Sequence, residues 1–289
     1  MTPFDLLATS PTAFTLTALF LGLLVGSFLN VVIHRLPIML NRDWKTQSRE
    51  ILALPPEPQA ERYDLILPNS TCPHCAHKIR AVENIPIISY LFLKGRCSSC
   101  RAPISKRYPL VELTSGLLTA FVAYHFGFGY PALAFMVLTW ALLAMSMIDV
   151  DHQLLPDAIV LPLLWLGLIV NAFGLFTDLT SALWGAVFGY GALWLVFWLF
   201  KLVTGKEGMG YGDFKLLAML GAWGGWQILP LTVLLSSLVG AVLGVIMLRV
   251  RNQATSTPIP FGPYLAIAGW IALLWGAQIT ASYLQFAGF

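Results

Sequence analysis

Six stretches of this chain, residues 12–33, 113–148, 158–177, 179–200, 216–248 and 261–289, contain no Asp, Glu, Lys or Arg. A run of about 20 apolar residues is long enough for a helix to cross the hydrocarbon core of a bilayer, and in lipid a helix satisfies its own backbone polar groups. Such runs exclude a water-soluble globular fold. Composition agrees, with 57% of the 289 residues hydrophobic and 11% charged, where a soluble domain has about 25% charged. Two of the runs exceed one span. One divides at Gly127-Phe128-Gly129-Tyr130-Pro131, the other at Gly224-Gly225-Trp226-Gln227-Ile228-Leu229-Pro230, both clusters of helix breakers. The fold predicted is all-α, a polytopic membrane bundle of about eight transmembrane helices over 12–33, 109–126, 131–148, 158–177, 179–202, 213–226, 229–248 and 261–286. The sixth span is short and Gly-rich, so a re-entrant hairpin competes with it.

Orientation settles that competition in favour of a span. With residue 1 outside, eight crossings place all 17 Lys and Arg on the cytoplasmic side, whereas seven would put Arg249 and Arg251 outside. No Lys or Arg precedes Arg35 and no small-residue cleavage site is clear, so the first span is expected to be an anchor with a periplasmic N-terminus rather than a removed signal peptide. Three parts are expected: an N-terminal anchor over 1–33, a cytoplasmic cysteine-rich zinc-binding loop domain over 34–108, and a transmembrane domain over 109–289. The loop carries 12 Lys and Arg against 6 Asp and Glu. Within it, Arg42 to Leu52 is expected as a short surface helix and Leu54-Pro55-Pro56-Glu57-Pro58 as an irregular linker. A net charge of +3 without basic–aromatic alternation argues against nucleic acid; the partner implied is the lipid bilayer.

All four cysteines lie in the loop, as Cys72-Pro73-His74-Cys75 and Cys97-Ser98-Ser99-Cys100. Each C-x-x-C knuckle can set two thiolates on one ion, so Cys72, Cys75, Cys97 and Cys100 are candidate ligands of a structural zinc. Lys78, Arg80, Arg96 and Arg101 are placed to balance the two surplus negative charges. Two disulfides or four free thiols are the alternatives, the former disfavoured in a reducing compartment. His74 and His77 are rival ligands, more simply read as surface residues of the knuckle. Four cysteines leave no open position for catalysis at the metal.

Ionisable groups elsewhere are few, and a charge in a span is expensive. Asp149, Asp151 and Asp157 lie where the third span leaves the membrane and the fourth returns; Glu207 and Asp213 lie just before the sixth. Two carboxylates from different spans can form an acid-protease pair. At 4 Å and an effective dielectric near 20 they repel by about 4 kcal/mol, so the pair retains a proton. One acid then serves as base toward water while its protonated partner polarises a carbonyl. The bland alternative has the same acids capping helices or sitting in water: Asp157 fits an N-cap, Asp151 and Glu207 fit solvated groups, and Glu112 serves the site or balances Arg107. His152 invites pairing with an Asp, but no serine or cysteine nucleophile motif accompanies it.

Gly26-Ser27-Phe28-Leu29-Asn30 with His34-Arg35-Leu36-Pro37, the paired knuckles, Asp149 in Ile-Asp-Val-Asp-His with Leu155-Pro156-Asp157, and Gly210-Tyr211-Gly212-Asp213 together resemble the type IV prepilin peptidase family over nearly the whole chain. The resemblance implies a membrane-embedded aspartic endopeptidase of the bacterial inner membrane with Asp149 and Asp213 as catalytic acids. It further implies cleavage of the basic leader from prepilins and type II secretion pseudopilins at the cytoplasmic face, followed by N-methylation of the new terminus with S-adenosylmethionine. Lys94-Gly95-Arg96 is similar to a family loop and makes Gly95 the candidate at the methyl donor, although a turn residue serving Cys97 would look the same. No glycine-rich nucleotide fingerprint occurs in 34–108. The rival functions are a proton-coupled transporter, for which the internally repeated halves are not detected, and a scaffold that uses its knuckles to recruit partners.

Overall fold

The computed structural model describes residues 2–55, 62–251 and 260–287, without the side chains of Pro3 and of 243–251. Every described element is helical apart from two isolated bridges, Thr71 with Lys78 and Arg96 with Pro103. The helices are α1 (Pro3–Thr9), α2 (Pro11–Ile51), α3 (Ile88–Phe92), α4 (Arg107–Phe126), α5 (Tyr130–His152), α6 (Asp157–Ala172), α7 (Leu179–Thr204), α8 (Tyr211–Gly224), α9 (Leu229–Arg251) and α10 (Gly262–Phe286). Four of them, α2, α5, α7 and α10, are long and apolar enough to cross a membrane, and shorter apolar helices occupy Asp157–Ala172 and Trp226–Val242. The chain is a multi-pass membrane protein.

Most boundaries shift by a few residues from the sequence reading, and two differ most. The first span and the expected surface helix are one continuous helix of 41 residues, with Pro37 inside it. Ser10 starts it by accepting the Ala13 amide, and Pro11 takes the first helical position, where a missing N–H costs nothing. The onset of charge at Arg35 therefore does not mark a helix end. The fourth segment is shorter than expected, because Asn171 turns the chain. Its side-chain oxygen accepts the amides of Phe176 and Thr177, and its nitrogen donates to the carbonyls of Ala222 and Trp223. Linker residues 56–58 lie outside the described residues.

The chain forms two compact units, Met1–Trp140 and Ala141–Phe289. In the first, Gly22 and Gly26 let α2 meet α4: an added Cβ at Gly26 would come 2.7 Å from Glu112 Cα, and one at Gly22 would strike Thr119. Small residues one turn apart allow such an approach between membrane helices. Ser115 Oγ donates to the Gly22 carbonyl at 2.6 Å, and Trp140 Nε1 donates to Thr119 Oγ1 at 2.8 Å. Past this contact, buried Arg35 donates to the carbonyls of Asp64 and Pro68 and so fastens the polar loop to α2.

In the second unit α8 is the central element, packed by α6, α7 and α10. Gly185 and Gly189 of α7 lie directly on the backbone of α8 at Gly221 and Leu217. Trp223 Nε1 donates to the Leu163 carbonyl of α6, where a Cβ at Gly167 would meet its ring. Gly225 ends α8 at φ +79, a conformation that only glycine adopts without strain. We expect Gly221→Val to lower stability by at least about 2 kcal/mol through overpacking against a backbone that cannot yield, measured by thermal unfolding in detergent. An unchanged midpoint would contradict this packing.

Candidate functional site

Asp149 lies in the last turn of α5 and Asp213 in the first turn of α8. Both are buried, 6% and 7% exposed. Asp149 Oδ2 accepts the backbone amide of Gly262, at the start of α10, at 3.0 Å. An added Cβ at Gly262 would come 2.6 Å from that same oxygen and 3.2 Å from Leu155 Cδ2; one at Gly212 would come 2.9 Å from Leu155 Cβ. Leu155 thus bridges two glycines, one lying on Asp149 and the other preceding Asp213. Two buried acids within electrostatic reach can keep one proton between them and present both an acceptor and a donor to a third group.

Of the neighbouring carboxylates, Asp151 and Glu207 are exposed, as the solvated reading expects, and Asp157 departs from the capping reading. The N-cap of α6 is Pro156, and the Asp157 carboxylate instead accepts the Lys215 ammonium at 2.8 and 2.7 Å. Glu207 accepts Lys201 Nζ at 2.8 Å. Glu112, in the first unit, accepts the Ile87 amide at 2.8 Å. Gly262 lies directly on Asp149, and the sequence reading did not single it out. Its only local signal is the breaker cluster Pro260-Phe261-Gly262-Pro263 before the last helix.

The cysteine loop closes on a second site. Cys72, Cys75, Cys97 and Cys100 bring their sulfurs within 4.8 Å of one another, with Cys72 to Cys100 at 3.8 Å and Cys75 to Cys97 at 4.0 Å. A zinc–sulfur bond of about 2.3 Å in a tetrahedron sets sulfurs about 3.8 Å apart, so the donor set suits one such ion. All four are free of disulfides. The knuckles repeat one turn: Ala76 and Arg101 each have positive φ and each donates its amide to the carbonyl of the first cysteine. The amides of His74 and Cys75 pull the Cys72 thiol down to about 7, and those of Cys100 and Ser99 lower Cys97. Cys100 goes the other way: the Ala102 amide lowers it, but the Cys75, Cys97 and Cys72 thiols around it push it up to about 11, so the backbone amides favour the thiolate at the first cysteine of each knuckle. His77 does not join the sulfurs; its Nε2 is 3.3 Å from both Glu83 Oε2 and Ser98 Oγ. Gly95, at φ +66, donates its amide to the Tyr90 carbonyl and accepts from Ile104, so it forms the turn into the second knuckle.

Comparison with known proteins places these features in context. Residues 20–126 match the family described as Bacterial Peptidase A24 N-terminal domain, and residues 136–245 match the Type IV leader peptidase family. The chain is 73% identical to the prepilin leader peptidase/N-methyltransferase of Stutzerimonas stutzeri, over 99% of both chains. It is 72% identical to that of Pseudomonas aeruginosa, over 99% of this chain and 98% of the relative, and 62% identical to that of Pseudomonas putida, over the full length of both. No solved structure matches the chain.

The geometry of the four sulfurs generates one expectation. Elemental analysis of the purified, reduced protein should find about one zinc per chain, lost when the four cysteines become serine. Reduced protein free of zinc would contradict it.

Proposed function

We infer from one premise, that the chain belongs to the type IV leader peptidase family, that Asp149 and Asp213 are the acid pair with which it removes prepilin leaders. The activity itself, prepilin leader peptidase and N-methyltransferase, follows from the close relatives over nearly full length. The observation that carries the residue assignment is the burial of both acids beside glycines that share one neighbour, Leu155, which packs on Gly262 against Asp149 and on Gly212 before Asp213.

In this mechanism the ionised acid takes a proton from water as the oxygen attacks the scissile carbonyl. The protonated acid donates to the carbonyl oxygen as it becomes an oxyanion. Collapse of the tetrahedral intermediate breaks the C–N bond, and the proton gained from water passes to the departing amine. The Gly262 amide holds the Asp149 carboxylate in place throughout. Gly210, where an added Cβ would lie 3.8 Å from Asp213 Oδ2, leaves room for a substrate backbone to approach that acid, whereas Gly212 is packed by Leu155.

The membrane arrangement follows the charge distribution. Eight crossings with the N-terminus in the periplasm put the 34–108 loop in the cytoplasm, the anchor at 1–33 and the peptidase part over 109–289, in the bacterial inner membrane. A basic leader of a prepilin or pseudopilin then stays cytoplasmic while its apolar helix stays in lipid. Zinc, held by the four cysteines, would organise the loop. The methyl donor, S-adenosylmethionine in this reading, supplies a methyl group activated by its sulfonium.

Asp149→Asn and Asp213→Asn should each insert normally and abolish leader removal, read by the mass of a purified prepilin after incubation. Cleavage at the normal rate by either variant would sink the assignment. Gly262→Ala should slow cleavage by about 100-fold, because displacement of a reacting group by about an ångström has that effect. Unchanged cleavage would show that the close approach of Gly262 to the Asp149 carboxylate is dispensable. With S-adenosylmethionine present, the wild-type product should gain one methyl mass.

A further inference from the structure

Residues 84–93 carry no charge although they lie inside the most basic part of the chain. They include α3, and their apolar side chains turn outward: Phe92 is 84% and Leu91 67% exposed, with Ile85 and Ile88 exposed as well. A contiguous exposed apolar patch marks a surface that meets something other than water. The helices beneath the segment show how deep it sits. The Ile87 amide donates to Glu112 Oε2 at 2.8 Å, and Glu112 lies against Gly26 of α2. Arg35 is the first Lys or Arg of the chain. At 1.5 Å per residue, Gly26 lies about 13 Å below Arg35 along α2, and Glu112 lies about 7 Å below Arg107 along α4. The Ile87 amide is therefore level with the uncharged part of both helices.

The turn there is built under strain. Ile87 has φ +60 and ψ −47, and the Ile88 amide donates back to the Pro86 carbonyl at 2.5 Å. A β-branched residue holds such a conformation only where its surroundings demand it. Here the buried Glu112 carboxylate takes the Ile87 amide, so the chain reverses at that depth instead of stopping above it.

We propose that residues 84–93 are a re-entrant interfacial anchor, with Ile88, Leu91 and Phe92 inserted into the cytoplasmic leaflet. Exposed Lys94 and Arg96 directly follow the segment and complement anionic headgroups. Lipid is the occupant rather than a substrate helix, because α3 has only five residues and its face is too short to cradle a membrane span. The second knuckle, which follows at once, is thereby held at the membrane surface. The inference rests on the reading that α2 and α4 cross the membrane.

The test uses the full chain in nanodiscs of phosphatidylethanolamine and phosphatidylglycerol, in preparations that cleave prepilin. Photoreactive benzoylphenylalanine is placed at Phe92, at Ser99 in the second knuckle, or at exposed Leu117 in α4, and adducts are weighed after illumination. A phospholipid adduct at 92 and 117 but none at 99 is the expected result. An adduct at 117 without one at 92 overturns the anchor alone, and absence at both overturns the membrane reading on which it rests. If position 92 joins to added prepilin and not to lipid, the patch is a substrate-docking surface and the proposal is wrong.

Discussion

From Asp213 to Trp223, every residue of α8 except Lys215 is buried, and the contact that makes this possible is the backbone approach of Gly185 and Gly189 on α7. Membrane helices gain no hydrophobic energy by leaving lipid for one another, so close packing and polar contacts must hold them. Here the glycines supply the packing, and Asn171 and Trp223 supply the polar contacts, each bonded to a backbone carbonyl on another helix. Once α8 is fixed in height and rotation, its first turn has one place to be, and Asp213 arrives beside the end of α5.

The same economy of side chains shapes the acid site. Asp149 is held by an amide, with a glycine at 262 because a methyl group would meet the carboxylate. Leu155 fills the remaining space against Gly212. An acid buried in a helical bundle is costly unless a donor satisfies it; a backbone donor does so without bringing in a second charge. The cations nearby are engaged elsewhere, Lys215 with Asp157 and Lys201 with Glu207. The cysteine loop follows the opposite pattern, with its order coming from two repeated turns that converge on one set of sulfurs.

Much of this was readable from the chain because its signals are local. Runs without charge set the apolar helices, Gly127 and Gly129 fall between helices, Gly224 and Gly225 end α8, and C-x-x-C spacing brings four thiols together. What escaped the reading depends on distance. Asp157 looked like a cap because Pro156 precedes it, but its partner Lys215 is 58 positions away. The bond from Gly262 to Asp149 spans 113 positions. The continuity of α2 past Arg35 escaped for another reason: charge reports where a chain meets water, and helical hydrogen bonding continues across that boundary. The paired glycines at 22 and 26, and at 185 and 189, were present as small-residue motifs and would have pointed to both close crossings.

The central claim is that Asp149 and Asp213 act together on a tetrahedral centre. A substrate peptide with a hydroxyl-bearing tetrahedral carbon in place of the scissile carbonyl tests it most directly, because an active site binds such a mimic more tightly than the substrate itself. The account predicts that wild-type protein binds the mimic at least about 100-fold more tightly than the parent peptide, and that either Asp→Asn variant loses this preference while still binding the parent. Equal affinity of wild-type protein for the two peptides, or a preference that survives in either variant, would contradict it.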